Sequence, residues 1–419
     1  MTVKEVVRIL IAGGAYAGLA AALNLLDLCN ARQARGSRAP ITDTPTYVPV
    51  EISIVDERDG YFHLIGTPLA FASKEYAPAA WVKFEDIPAL NHPAVRWVQG
   101  SLKKIDSSNK NATILDSKSE EEYDLPYDYF LAATGLRRAW PAVPVSLSRD
   151  EYVRETSAHV DTIQSANSHG GVVVVGGGAV GVEIAGELKY THPSTKVTLI
   201  HSRDTLLSSE PLPDDCKLAA LRALEDLGVA VILNQRVLQI SDIQTNVQGQ
   251  TGKQLTLQDG TKLLADHVMP AITKNVPATS YLPESVLDKE GMVKINSLLR
   301  FVDQGNDPYH LAAGDLVAWS GIKRCGRAQG MGARAAQNIY QHILSERHNI
   351  QSNYTEYQPI SPVIALAVGN QAVVYDSKGT RCSEEQMRHF FGSDLGMQQF
   401  WDGQKLGESP NYSHHPHSL

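Results

Sequence analysis

Two segments of the sequence share one pattern, a β-branched strand followed by a glycine-rich turn and a helix. In the first, the apolar residues 6–12 lead into the turn GGAYAG at residues 13–18. In the second, residues 172–175 (VVVV) lead into GGGAVG at residues 176–181. A turn of this kind places free backbone N–H groups and the positive end of the helix dipole against a pyrophosphate. The sequence therefore predicts an α/β fold with tandem Rossmann-type dinucleotide-binding domains.

The two turns differ at the middle position of the G-x-G-x-x-G pattern. The second turn has glycine at all three positions, whereas Ala15 occupies the middle position of the first, where the backbone comes closest to the phosphates. One methyl group can be absorbed by a small backbone shift or can weaken cofactor binding. A purely structural turn is the alternative interpretation of each copy. The residues predicted to contact the two pyrophosphates are Gly13, Gly14, Ala15 and Gly18 in the first turn and Gly176, Gly178 and Gly181 in the second.

The composition argues against several classes of protein. The chain has 419 residues, a length typical of two or three domains. Its formal net charge is −8, and no basic run is interleaved with aromatic residues, which argues against a nucleic-acid partner. No apolar run approaches the roughly 18 residues that a membrane helix needs. We therefore expect a cytoplasmic protein, and we leave open a peripheral contact with a membrane or an association with mitochondria.

The sequence predicts no metal site and no redox disulfide. The four cysteines, at positions 29, 216, 325 and 382, include no pair with C-x-x-C spacing. A disulfide scaffold, a zinc ribbon and a dithiol reductase are therefore not expected. The tail histidines His414, His415 and His417 lie in a terminal segment, and we do not expect them to bind a metal.

Residues at three other strand ends support the first dinucleotide site. Asp56 ends the strand after the first helix, where a carboxylate can hydrogen-bond a ribose of the adenosine. Thr134 and Gly135 are small and allow a dinucleotide to pass closely. Gly314 and Asp315 end a further strand, where the carboxylate can accept a hydrogen bond from the ribityl chain of FAD. Taken singly, either aspartate can instead be a helix N-cap or a turn former.

This order of motifs resembles that of flavoproteins with two dinucleotide-binding domains, and most of all the ferroptosis-suppressor-type branch of the apoptosis-inducing-factor group. The resemblance covers nearly the whole chain and implies an FAD-binding domain interrupted by an NAD(P)H-binding domain. The matching segments are residues 55–63 (VDERDGYFH), 125–135 (LPYDYFLAATG), 176–183 (GGGAVGVE), 197–203 (VTLIHSR) and 312–315 (AAGD), together with Lys323. The predicted division is 1–150 and 273–353 for the FAD-binding domain, 151–272 for the NAD(P)H-binding domain and 354–419 for a small C-terminal α+β segment.

The resemblance also implies catalytic roles for Lys323 and Glu183. In this family a lysine lies beside the flavin ring, often paired with a glutamate that lies near the flavin and the nicotinamide. Such a lysine would stabilise the anionic reduced flavin, and the glutamate would fix its position. The alternative is a glutamate that complements the helix dipole and a lysine in solvent.

The end of the second strand of the second unit bears on the choice of nicotinamide cofactor. NAD specificity usually rests on an acidic residue there, which binds the ribose diol. This chain has His201, Ser202 and Arg203 instead. Without a carboxylate, Ser202 and Arg203 suit a 2′-phosphate, so the sequence favours NADPH over NADH. An exposed arginine that does not contact the cofactor is the alternative.

Two further segments depart from the family pattern or resemble it only loosely. A second small-residue strand end has Thr273 where glycine is usual. Residues 328–332 (AQGMG) loosely resemble the quinone-site helix of type II NADH:quinone oxidoreductases, although close packing explains them equally well. The C-terminal segment is expected to hold one apolar strand at residues 363–368. Its aromatic residues are expected to pack on the body as a lid, and they are Phe390, Phe391, Phe400 and Trp401.

These observations predict an FAD-dependent oxidoreductase that takes hydride from NADPH or NADH and passes electrons to a quinone or another small conjugated acceptor. The alternative, motivated by Ala15 and Thr273, is a protein that retains the fold and FAD but serves a biosynthetic or signalling pathway without NAD(P)H turnover. The sequence leaves the identity of the acceptor and the oligomeric state open.

Overall fold

The computed structural model describes residues 6–35, 46–166, 170–244, 251–272, 275–302 and 307–410. The strands are β1 (Val7–Ala12), β2 (Val50–Asp56), β3 (Gly60–Phe62), β4 (Trp81–Lys83), β5 (Val95–Asp106), β6 (Asn111–Asp116), β7 (Glu122–Pro126), β8 (Tyr129–Ala132), β9 (Leu136–Arg137), β10 (Val172–Val175), β11 (Val197–Ile200), β12 (Ala230–Ile232), β13 (Val237–Gln244), β14 (Thr251–Leu257), β15 (Lys262–Ala265), β16 (His267–Pro270), β17 (Val276–Pro277), β18 (Val293–Lys294), β19 (His310–Ala312), β20 (Val317–Ala318), β21 (Ile364–Val368), β22 (Gln371–Asp376) and β23 (Gly379–Ser383). The α-helices are α1 (Tyr16–Cys29), α2 (Thr67–Ala70), α3 (Arg149–Ser165), α4 (Ala179–Thr191), α5 (Asp214–Asp226), α6 (Cys325–His348), α7 (Glu384–Phe390) and α8 (Met397–Gly403). Short 3₁₀ turns lie at Leu64–Gly66, Ala77–Ala80, Phe84–Asp86, Pro88–Leu90 and Glu284–Val286.

The first sheet is built from distant parts of the chain. Its strand order is β19-β8-β1-β2-β5-β6-β7, and the strands from β19 to β5 run parallel. The side chains of β1, β2, β8 and β19 are almost all buried, as expected for a parallel sheet covered on both faces. Strand β19 follows the second sheet in sequence. In chain order, the second sheet is therefore inserted between two neighbouring strands of the first sheet, β8 and β19.

The second sheet repeats the first on a smaller scale. Strands β12, β11, β10 and β16 are all parallel, and every residue of β10 is buried. The antiparallel strands β13, β14 and β15 cover one face, where Leu255 and Leu257 pack with Val173 and Val175. The α/β fold with two Rossmann-type units is therefore confirmed.

A buried helix pair lies behind the first turn. Every residue of α1 except Leu28 is buried, and α1 packs along α6. A Cβ atom at Gly332 would lie 2.1 Å from the Ala17 carbonyl oxygen, so this glycine allows the two helices to approach closely. The structure thus supports close packing as the reason for glycine at this position of the AQGMG segment.

The C-terminal segment contains more structure than the single strand expected from the sequence. Strand β21 forms an antiparallel sheet with β22 and β23, followed by α7 and α8. Strand β23 is only partly buried and has the sequence GTRCS, which carries no apolar run that would mark it as a strand. The expectation of one strand was wrong, since it missed both β22, whose apolar run is short, and β23, which has none.

The aromatic residues of this segment pack on the first unit. Phe391 and Phe400 are buried, and the Phe400 ring stacks on that of Tyr61 with centroids 4.8 Å apart. Phe400 also contacts the Tyr16 ring edge-on at 5.1 Å, at the start of α1. This part of the prediction, a segment packed on the body, is confirmed.

Candidate functional site

The first turn requires glycine at two positions. Gly13 has a φ of +101°, and a Cβ atom there would lie 2.5 Å from the Ala133 carbonyl oxygen. A Cβ atom at Gly18 would lie 1.7 Å from the Gly13 carbonyl oxygen. The turn therefore lies directly between the end of β8 and the first residues of α1.

The second turn has the same construction. Gly176 has a φ of +121°, and a Cβ atom at Gly181 would lie 1.8 Å from the Gly176 carbonyl oxygen. The backbone beyond β16 takes the place of the end of β8, since a Cβ atom at Gly176 would lie 2.9 Å from the Ala271 carbonyl oxygen. Both turns are thus held by their outer glycines.

Ala15 and Gly178 occupy equivalent positions in the two turns. Each is the N-cap residue of its helix, and neither gives the helix a side-chain hydrogen bond. A Cβ atom at Gly178 would meet no other atom within 4 Å. Gly178 thus faces open space, and Ala15 is only partly buried, so a pyrophosphate bound at the first turn would meet the extra methyl group of Ala15.

Asp56 lies at the end of β2, as predicted, and contacts the first turn. Its Oδ2 atom accepts a hydrogen bond from the Gly14 N–H at 2.7 Å, and its Oδ1 atom accepts one from the Arg58 N–H at 2.8 Å. Burial raises the pKa of Asp56, while the positive charge of Arg58 and the two N–H groups oppose that shift. Each carboxylate oxygen has a second lone pair that can accept a ribose hydroxyl.

The predicted small residues at the strand ends differ in their surroundings: Gly135 faces open space, while Thr134 and Gly314 contact neighbouring residues. Gly135 has a φ of +68°, and a Cβ atom there would meet no atom within 4 Å. The hydroxyl of Thr134 donates a hydrogen bond to the Ala278 carbonyl at 2.7 Å and so fixes the segment after β17. Gly314 has a φ of +94° and lies against Ala17 of α1.

Lys323 lies beside Asp315 at the start of α6. Its Nζ atom donates hydrogen bonds to the backbone carbonyls of Asp315 and Val317. The Asp315 carboxylate forms an ion pair with Arg138 at 3.2 Å. Burial lowers the pKa of Lys323 to about 8, the Asp315 charge opposes this shift, and the charges of Arg327 and Arg138 add to it.

Glu183 lies on α4 without a direct ion pair to Lys323, although both residues belong to the described part of the chain. The pairing that the resemblance implies is therefore not formed in the described structure, where the Lys323 ammonium donates to two backbone carbonyls instead. Burial raises the pKa of Glu183 to about 7, and the charges of Arg324 and Arg138 and the Ala367 N–H oppose the shift.

Glu187, one helical turn further, was not expected from the sequence. It is 2% exposed, and its Oε1 atom has no hydrogen-bond partner among the described residues. Burial and the charge of Glu183 raise its pKa to about 8, while the Gly369 N–H opposes the shift. Its spacing of four residues from Glu183 places both carboxyls on the face of α4 that packs on β21.

Arginines that the sequence analysis missed also converge on the start of α6. The first turn of this helix has no acidic residue, although it carries Arg327 and follows Lys323 and Arg324. Buried nitrogen atoms of Arg138, Arg324 and Arg327 have no hydrogen-bond partner in the described part of the chain. So many cations at the positive end of a helix dipole require negative charge nearby. This donor set fits a ligand with phosphate and carbonyl oxygens, as FAD has, and the signal in the sequence was the run of basic residues beside Lys323.

His201 takes in the second unit the position that Asp56 has in the first. Its Nδ1 atom accepts a hydrogen bond from the Gly177 N–H at 3.0 Å, which leaves Nε2 protonated and donating to the Ser208 hydroxyl at 3.1 Å. Burial and the charge of Arg203 lower the pKa of His201. Arg203 lines a cavity beside this histidine, whereas Ser202 is exposed and is not among the residues that line it.

Several expectations concern residues that the structure does not describe or features that it does not test. Thr273 and the tail histidines His414, His415 and His417 lie outside the described residues. Within the described residues, no group of three or more His, Cys, Asp or Glu side chains is arranged to hold a metal ion. No helix in those residues combines the length and apolar character that crossing a bilayer requires. The cytoplasmic location stays a prediction.

Comparisons with known proteins agree with this geometry. Residues 7–332 match the family model described as pyridine nucleotide-disulphide oxidoreductase. The chain is 50% identical over 410 residues to "Oxidoreductase OXR1" of Ajellomyces capsulatus, covering 96% of this chain and 88% of that protein. It is 26% identical to "Ferroptosis suppressor protein 1" of Xenopus tropicalis, covering 88% of each chain. The structure of NDH2 from Plasmodium falciparum in complex with NADH has a TM-score of 0.66 at 12% identity, covering 97% of this chain and 99% of that one.

These findings confirm the resemblance to the ferroptosis-suppressor-type oxidoreductases and the prediction that the protein is an enzyme. They also confirm, at the level of the family, the prediction of FAD with NADH or NADPH as cofactors. The chain belongs to the pyridine nucleotide-disulphide oxidoreductase family, as an NAD(P)H-dependent flavoprotein oxidoreductase.

Proposed function

We propose that this protein reduces a quinone or another small conjugated acceptor with NADPH, with FAD as its resident cofactor. When bound, FAD supplies a ring that takes hydride from the nicotinamide and gives electrons to the acceptor. The observation that carries the proposal is the half-buried carboxyl of Glu183, with a pKa of about 7, close to the cations at the start of α6.

The proton balance of the reaction explains why this carboxyl matters. Reduction of a quinone to a hydroquinone consumes two electrons and two protons, and the hydride of NADPH brings both electrons but only one proton. A carboxyl with a pKa near the working pH can supply the second proton as a general acid. Glu187, with a pKa of about 8, lies one turn behind Glu183 and can return a proton to it.

A disulfide acceptor is not supported by the cysteines. All four lie in the described residues, none is bonded to another, and Cys29 and Cys216 are buried. Burial raises the pKa values of both thiols, which removes the reactive thiolate at neutral pH. A small conjugated acceptor needs no such thiol.

Lys323 and Asp315 have separate tasks in this proposal. The Lys323 ammonium, fixed by two carbonyls, would hold positive charge where negative charge develops during the reaction. Asp315 would bind the ribityl chain of FAD, for which its ion pair with Arg138 must share or release one carboxylate oxygen. Asp56, Gly14 and Ala15 would surround the adenosine and the pyrophosphate.

The preference for NADPH rests on His201. A neutral imidazole whose Nδ1 atom is already an acceptor for Gly177 cannot bind both hydroxyls of a ribose diol as a carboxylate does. Arg203, exposed beside it, offers a positive charge to a 2′-phosphate.

Purified protein provides the test. We expect a yellow protein whose flavin absorbance is bleached anaerobically by NADPH faster than by NADH, and is then restored by quinones from a panel. The Asp315→Ala variant should stay folded but lose most of its flavin, because a charge-assisted hydrogen bond contributes roughly 1.5–3 kcal/mol, or about ten- to a hundred-fold in affinity. Flavin that neither nucleotide reduces would instead favour the non-redox alternative.

A further inference from the structure

We propose that Lys217 on α5 binds the 2′-phosphate of NADPH, in a cavity formed with the loop after β11. This inference rests on the proposed use of NADPH and adds a residue from an element outside the βαβ unit. The cavity has a volume of about 550 Å³, and its lining residues are Arg203, Asp204, Thr205, Ser208, Ser209, Asp214 and Lys217.

Lys217 has a charge without a close partner. Its side chain is 16% exposed, and its nearest carboxylate, Asp214 Oδ1, is 3.8 Å away, too far for a hydrogen bond. The Asp214 side chain is 96% exposed and is therefore surrounded by water, which weakens the pair. Among the described residues no other acceptor contacts the Lys217 ammonium, although the stem of the side chain is largely covered. The geometry holds the charge at the cavity and leaves its hydrogen-bonding capacity unused.

The cavity is joined to the second turn by direct contacts. The Leu207 N–H donates a hydrogen bond to the Gly177 carbonyl at 2.8 Å, so the loop that lines the cavity is fixed to the turn. The Ser208 hydroxyl accepts a hydrogen bond from His201 Nε2, and His201 Nδ1 accepts one from the Gly177 N–H. The cavity therefore opens beside the end of β11, where the adenosine ribose lies in this kind of fold.

The chemistry of the lining suits a phosphate on that ribose. Arg203 and Lys217 supply two positive charges from two different elements, and the hydroxyls of Ser208 and Ser209 can donate hydrogen bonds to phosphate oxygens. Asp204 and Asp214 also line the cavity and are exposed, so they can remain in water while the cations contact the ligand. A nucleotide without the 2′-phosphate would leave Arg203 without an anionic ligand and Lys217 with only its weak pair to Asp214.

The experiment compares 2′,5′-ADP with 5′-AMP by calorimetric titration of the flavin-loaded protein. The Lys217→Met variant should bind 2′,5′-ADP about ten- to a hundred-fold more weakly, the range for one lost charge-assisted hydrogen bond, and should bind 5′-AMP as the unmodified protein does. Lys217→Arg should restore most of the affinity. Arg222→Met is the matched control, because Arg222 is an exposed cation of the same helix that does not line the cavity.

Equal affinity of Lys217→Met and the unmodified protein for 2′,5′-ADP would overturn the proposal, as would a parallel loss of 5′-AMP. These readouts do not depend on hydride transfer. A protein that binds 2′,5′-ADP through Lys217 but is never reduced by NADPH would contradict the proposed function and leave this site intact. A protein that NADPH reduces equally well with and without Lys217 would support the proposed function and contradict the role of Lys217.

Discussion

The two dinucleotide turns are nearly identical in backbone and different in the groups that surround them. Gly18 and Gly181 contact the carbonyl oxygens of Gly13 and Gly176 in the same way. In each unit the residue at the C-terminal end of the second strand accepts a hydrogen bond from the second glycine of the turn. This residue is the carboxylate Asp56 in one unit and the imidazole His201 in the other.

The helices that follow differ just as clearly. Helix α1 is buried against α6 and has Ala20 at the position of Glu183 in the second turn's helix, by their equal spacing from Gly13 and Gly176. Helix α4 carries Glu183 and Glu187 toward β21. Under the proposed function, the turn would fix where a pyrophosphate lies, while the neighbouring side chains would decide which nucleotide binds and whether protons can move beside it.

The largest effect is expected from breaking one turn at a time. In Gly18→Ala or Gly181→Ala, the new methyl group would overlap a carbonyl oxygen that cannot move away from its strand. A strain of roughly 3 kcal/mol should lower affinity at that site about a hundred-fold. We expect Gly18→Ala to lose FAD but to bind 2′,5′-ADP, and Gly181→Ala to do the opposite, as measured by released flavin and by titration. Each variant controls for misfolding of the other, and loss of both ligands in either one would show that the turns are not independent.

The second prediction gives the second unit the carboxylate that the first unit has at the equivalent position. In His201→Asp, the new carboxylate can accept the Gly177 N–H as Asp56 accepts that of Gly14. It would bind a ribose diol and repel a 2′-phosphate, so the ratio of kcat/KM for NADPH to that for NADH should fall roughly ten- to a hundred-fold. His201→Asn, which lacks the charge, is the control and should lie between the two. An unchanged ratio in His201→Asp would separate nucleotide choice from this position.

The third prediction concerns Glu183 of α4, which has Ala20 as its counterpart in α1. Because the pKa of Glu183 is raised from 4.5 to about 7, its proton persists through neutral pH and is lost above it. The rate of quinone reduction should therefore fall about tenfold per pH unit above 7. In Glu183→Gln the rate should be lower, about tenfold at pH 6, and independent of pH in this range. Stopped-flow reoxidation between pH 5 and 9 measures this, and an identical profile in both proteins would exclude Glu183 as the proton donor.

The smallest effect is expected at the middle position of the first turn. Ala15→Gly makes the two turns identical there and removes the methyl group of a partly buried residue. FAD should bind as tightly as before or up to several-fold more tightly, because one methyl contact is worth roughly 1 kcal/mol. Gly178→Ala is the matched change in the second turn and should weaken 2′,5′-ADP by a similar factor. Clear loss of flavin from Ala15→Gly would mean that this loop does not bind the pyrophosphate.

Most of the fold could be predicted because its signals are local. Glycine turns, buried β-branched strands and an apolar helix lie within short stretches of sequence, and the strand expected to end before Thr134 and Gly135 is found as β8. Strand β23 escaped prediction because its pairing with β22, and not its composition, makes it a strand.

The candidate site was predictable in its positions and less so in its contacts. Asp56, Asp315 and Lys323 lie at the ends of the elements where the sequence placed them. Their partners carry no motif: Asp315 pairs with the distant Arg138, and the Lys323 ammonium donates to the nearby backbone carbonyls of Asp315 and Val317. Lys217 carries no motif and shows its relation to the second turn only once α5 is packed beside the loop after β11.

The position of β19 has a consequence for the order in which the protein can assemble during synthesis. The second sheet needs no strand beyond β16, which ends at Pro270. The first sheet cannot be complete until His310–Ala312 has left the ribosome and paired with β8. Long-range pairing of this kind is slow to form, so the nascent chain carries one complete parallel sheet between the strands of an incomplete one, while α4 still lacks its contact with β21. Asp315 is synthesised after β16 and β19. If it binds the ribityl chain as proposed, flavin binding would come late in synthesis, once the first sheet is complete.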